Sequence, residues 1–99
     1  MKKLGILAVF SLAAFAGEWT GHISETKCGL KHTAASAADV ACVTTCIKAG
    51  AKPVLVVDGK IISIANTDKV PESLYGLKVK VSGDLKDDAL TIASIEAAK

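Results

Sequence analysis

Three cysteines and one of the two histidines of this 99-residue chain fall within residues 27–46. They form Cys28-x3-His32, followed by Cys42-x3-Cys46. Thiols and an imidazole at these spacings support three chemistries. A disulfide from Cys28 to Cys42 or Cys46 would close a loop of about 15 residues and stabilise the fold by about 3 kcal/mol. It would leave one thiol over, because the count is odd. A metal site would use all four residues: Cys28, Cys42 and Cys46 as thiolates with His32 as fourth ligand, a tetrahedral set for Zn²⁺ that also suits the softer Cu⁺. A thiol redox centre is the third, with Cys42 or Cys46 as nucleophile and Lys27 or His32 lowering a thiol pKa. The Cys-x3-Cys spacing and the mid-helix position both speak against it.

The elements that must position these groups are legible around them. Ser36 can cap a helix, with Asp39 three residues on, and Gly50 can end it, with Lys48 in the last turn and Pro53 beyond. The predicted helix is Ala37 to Ala49. Cys42 and Cys46 are then i and i+4, with Cβ atoms roughly 6 Å apart. That exceeds the ~3.8 Å that a direct disulfide prefers, and it suits a grip on a third party. Val40, Val43 and Ile47 form the packing stripe, and the cysteines lie about 110° away from it. Cys28 and His32 fall in a loop, Thr26 to Ala35, broken by Gly29.

The rest of the chain reads as β-structure. Glu18 to Glu25 alternates, with Trp19, Gly21 and Ile23 on one face and Thr20, His22 and Ser24 on the other. Trp19 is expected in the core and His22 in solvent. Two β-branched runs, Pro53 to Asp58 and Lys60 to Ala65, meet at Asp58-Gly59, a strong hairpin signal. Asn66 to Tyr75 is a loop with a short helix. Leu77, Val79 and Val81 oppose Lys78, Lys80 and Ser82 in a half-buried strand, with a bend at Gly83. Lys86-Asp87-Asp88 turns the chain into a last strand, Leu90 to Ile95, with a bulge near Ala93 and a frayed end over Ala97 to Lys99. Five short strands, a helix after the first and a helical segment after the third, predict a mainly β fold. The expectation is a small five-stranded OB-like Greek-key barrel with the cysteine-bearing helix inserted between strands 1 and 2. An open α+β sandwich of the same strands is the alternative.

Met1-Lys2-Lys3 followed by 13 apolar or small residues and Ala14-Phe15-Ala16 reads as a secretory signal over residues 1–16. The run is too short for a bilayer, which needs ~20 residues. The expected mature domain is residues 17–99, exported to the periplasm or medium, where disulfides persist. The precursor carries +2; without Lys2 and Lys3, ten lysines face ten acids and no arginine. A neutral domain with one Trp and one Tyr lacks the footprint of nucleic-acid binding. No glycine-rich phosphate loop or haem-attachment motif appears. Asp87-Asp88 is explained by turn chemistry, and the spacing of Ser24, His22 and Asp39 does not suggest a triad.

Trp19-x-Gly21-x-Ile23-Ser24, Lys27-Cys28-Gly29-x-x-His32, Cys42-x3-Cys46-x3-Gly50-Ala51, the Val54 to Val57 strand and Val79-x-Val81-x-Gly83 together resemble small exported bacterial proteins of uncharacterised function. The resemblance covers nearly all of the expected mature chain, and the Cys-Gly-x-x-His plus Cys-x3-Cys arrangement is its most specific part. It implies an OB-like fold and groups the four site residues, and it brings no activity. That family often has an Asp and a Met just before the first cysteine, where this chain has Glu25, Thr26 and Lys27, so a cation stands beside the thiol. The expectation is a monomeric, non-enzymatic binding or structural module of unknown ligand. Its Cys/His cluster would be a disulfide clasp or else a Zn or Cu site. No membrane contact is expected after signal cleavage.

Overall fold

The computed structural model describes residues 14–31 and 34–98. Most of the expected signal segment, residues 1–13, lies outside the described residues, as do His32, Thr33 and Lys99. Five strands, β1 (Ala14–Glu25), β2 (Pro53–Val57), β3 (Lys60–Ile64), β4 (Lys78–Lys86) and β5 (Ala89–Ala97), close into a barrel of order β1-β2-β3-β5-β4. All neighbours are antiparallel except β3 and β5. The fold is the expected mainly β, OB-like barrel, and the open sandwich is excluded by the pairing of β1 with β4. One α-helix is present among the described residues, α1 (Ala37–Lys48), between β1 and β2 as predicted.

β1 is longer than the alternation suggests. It pairs with β4 from Ala14↔Lys86 to His22↔Lys78, and with β2 from His22↔Val56 to Glu25↔Pro53. Its first nine residues therefore serve one neighbour and its last four the other, with His22 paired to both. Beside that switch stands Gly21, where a Cβ would lie 2.1 Å from the Val56 carbonyl oxygen. Gly83 does the same work on the other side, with a Cβ position 2.1 Å from the Thr91 oxygen. There Ser82 pairs with Ser94 and Gly83 with Ile92, so Ala93 is the extra residue of the anticipated bulge. Asn66 holds this point, accepting from Ile92 N–H at 2.8 Å and donating to its carbonyl at 2.9 Å.

The turns follow their residues. Asp58 and Gly59 have φ of 49° and 79°, and Asp87 and Asp88 have 53° and 64°, so both central positions of each hairpin loop are left-handed. The segment between β3 and β4 holds two 3₁₀ turns, Thr67–Lys69 and Glu72–Leu74. The C-terminal end does not fray at Ala97, which pairs with Val79, and Ala98 N–H donates to Lys78 at 2.9 Å. Inside sit Ile23, Leu55, Ile64, Val70, Leu74, Val79, Val81, Leu90 and Ile92, with Trp19 packed against them part-buried.

Candidate functional site

Cys28 is placed by the end of β1. Glu25 is fully buried there, and its Oε1 accepts from the N–H groups of Lys27 at 2.7 Å and Cys28 at 2.9 Å. The carboxylate thus closes the turn that presents the thiol. Ser24, also fully buried, donates its hydroxyl to the Gly29 carbonyl at 2.5 Å. Thr26 exchanges two bonds with Lys52, N–H to carbonyl at 3.0 Å and Oγ1 from N–H at 3.2 Å, which ties the turn to the chain leaving α1. The 3₁₀ turn Gly29–Lys31 then packs on β1, β2 and β3, covering their outer face.

The other two thiols come from α1. Ser36 caps it, accepting from Asp39 N–H at 3.1 Å, while the Asp39 carboxylate reaches back to Ala34 N–H at 3.0 Å. At the far end Gly50 N–H donates to Ile47 and Ala51 N–H to Cys46, both at 3.0 Å, with Gly50 at φ 118°. This is a Schellman close. The predicted stripe faces the barrel, with Val43 fully buried and Val40 and Ile47 part-buried. Gly76 lets the helix in: a Cβ on it would stand 2.6 Å from Val40 Cα.

Cys42 and Cys46 are both part-buried, one turn apart on α1, and Cys46, Cys28 and Glu25 lie within electrostatic reach of Cys42. Burial pushes the Cys42 thiol up, and the neighbouring Cys46, Cys28 and Glu25 add to it. That is the opposite of an activated nucleophile, which needs a depressed pKa. All three cysteines are free thiols, Cys42 and Cys46 on α1 and Cys28 on the turn that follows β1. His32, the fourth predicted residue, lies outside the described residues. Among the described residues no three His, Cys, Asp or Glu side chains are arranged to hold a metal ion.

Glu25 is the residue that the sequence reading passed over. Its signal was parity: it shares the inward face of Trp19, Gly21 and Ile23. His22 also departs from expectation. It is part-buried and lines a groove of about 730 Å³ with Trp19, Val57, Leu30, Asp58 and Lys78 among its walls. Burial lowers the His22 pKa, the facing Lys78 charge lowers it further, and Asp39 opposes them. Ser24 and Asp39 are committed to backbone bonds, so the triad is not assembled. Among the described residues no helix is long and apolar enough to cross a membrane. No protein-family model matches the chain, and neither a curated protein nor a solved structure matches it.

Proposed function

We propose that the protein is an exported, non-enzymatic binding and structural module in which a disulfide from Cys28 to Cys42 or Cys46 clasps α1 to the barrel and leaves one thiol. The observation that carries this reading is that Cys28, on the turn after β1, lies within electrostatic reach of Cys42 on α1. The helix needs such a tie, because Val43 is its one fully buried residue. Export rests on Met1-Lys2-Lys3, the apolar run and Ala14-Phe15-Ala16, and the resemblance to small exported bacterial proteins agrees with it. Protein expressed with its N-terminal segment, recovered from the periplasm without reductant and alkylated, should begin near Gly17. Peptide mapping should find Cys28 joined to Cys42 or Cys46 and one alkylated cysteine. Three alkylated thiols in native, unreduced protein would sink the clasp, and an intact Met1 in the exported fraction would sink the signal.

A second reading is favoured by the odd number of thiols, since one disulfide leaves a cysteine over. Here Cys28, Cys42, Cys46 and His32 hold Zn²⁺ or Cu⁺. Elemental analysis of protein purified without a metal-affinity tag decides it. One equivalent of Zn or Cu, with stability lost in chelator, is the expected result; metal-free protein of unchanged stability overturns it.

A further inference from the structure

The groove beside β1 carries features that the cysteine cluster does not use. It runs along Glu18 to His22, between the β2–β3 turn and Lys78, and its volume of about 730 Å³ lies within the range of small-molecule sites. Two large hydrophobic side chains are exposed among the described residues, and one of them lines the groove. Leu30, 49 % exposed, is part of its wall. Ile61, 51 % exposed, is the cross-strand partner of the wall residue Val56 and lies over Gly29. Trp19, Val56 and Val57 add apolar wall to the groove beside Leu30.

The charges around that surface are uneven. Glu18 is matched by Lys80 at 3.9 Å. Asp58 belongs to the hairpin turn. Lys78 has no ion-pair partner among the described residues and stands directly across from His22 in the β1–β4 ladder, so both side chains leave the barrel on one face. An anion between them pairs with the Lys78 ammonium and accepts a hydrogen bond from the His22 ring.

We infer that the groove binds a monomeric anionic amphiphile, its acidic head between Lys78 and His22 and its single apolar chain along Trp19, Val57 and Leu30. This gives the binding half of the proposed function a ligand class, and it does not depend on how the cysteines are paired. The head and chain together also describe an anionic lipid surface. A groove of about 730 Å³ has room for one such molecule, and that selects the dissolved monomer. The groups facing His22 are Lys78 from β4 and Asp39 from α1, with Glu18 and Asp58 elsewhere in the wall. Without ligand, burial and Lys78 hold the His22 pKa below its ordinary value. A bound anion opposes both, so binding brings proton uptake at His22 and tightens as pH falls from 7.5 to 5.5.

Trp19 is the one tryptophan and lines the groove, so its fluorescence reads occupancy. Octanesulfonate below micelle formation is the probe, because its charge is constant across this pH range. The expected result is a saturable change in Trp19 emission. Affinity should rise by up to about fourfold per methylene from hexane- to octanesulfonate. Lys78→Met should weaken binding about tenfold, and His22→Gln should remove its pH dependence. Neutral octyl glucoside at the same concentration should not compete. Three outcomes overturn the inference: no saturable change, equal binding by Lys78→Met, or binding only to anionic phospholipid vesicles. Disulfide mapping of the same samples keeps a failure of the clasp distinguishable from a failure of this site.

Discussion

At the scale of single residues, the glycines divide by what a methyl group would meet. At Gly21 and Gly83 it would meet backbone oxygen at 2.1 Å, and backbone in a closed ladder cannot step aside. At Gly17 it would meet the Trp19 ring at 3.6 Å, an ordinary contact. Gly21→Ala and Gly83→Ala should therefore each destabilise by about 3 kcal/mol or more, whereas Gly17→Ala should stay within about 0.5 kcal/mol of the parent. Urea unfolding followed by circular dichroism measures all three, and a Gly21→Ala protein of parental stability would mean that β1 does not cross β2 this closely. Part of this was legible: Gly83 inside an alternating strand marked a bend. Gly21 also sat in an alternating stretch, but nothing local told that its strand changes partner beside it. Glu25 was hidden for a related reason. A carboxylate at a strand end reads as solvated until the turn that it closes is known.

At the scale of elements, what the sequence disclosed was whatever short-range chemistry decides. Asp58-Gly59 specifies left-handed φ, Ser36 and Gly50 specify where a helix can begin and end, and the step from Ile92 to Ile95 breaks a two-residue period so that Ala93 must be extra. The parallel β3–β5 pairing and the β1–β4 closure join residues far apart in sequence, and no local pattern encodes them. The helix illustrates the difference. Its caps are local and were foreseen, while its docking on Gly76 is tertiary and was not. Because the Ser36 hydroxyl satisfies Asp39 N–H and α1 has little buried area to compensate, Ser36→Ala should cost about 1 kcal/mol. Ser36→Asp should restore most of it. The helical ellipticity of the two variants at equal temperature checks this, and equal loss in both would place the effect outside the cap.

At the scale of the whole molecule, the barrel and α1 are unequal partners. The barrel is a closed ladder around nine buried apolar residues. The helix contributes Val43, a close approach at Gly76 and the Lys48–Glu72 pair, whose side chains are 65 % and 59 % exposed. An ion pair that wet is worth about 0–1 kcal/mol. Local opening of α1 should then cost less than global unfolding, so its amides report a separate event. In reduced protein, hydrogen exchange over residues 40–48 should run well ahead of the central amides of β1 and β4. Closing a sulfur bridge from Cys28 to Cys42 or Cys46 should slow that exchange by up to roughly a hundredfold, the equivalent of about 3 kcal/mol, and leave the β4 amides nearly unchanged. Uniform slowing across helix and barrel would instead mean that α1 opens only when the barrel does. The cysteines would then act on the stability of the whole fold and not on one hinged element.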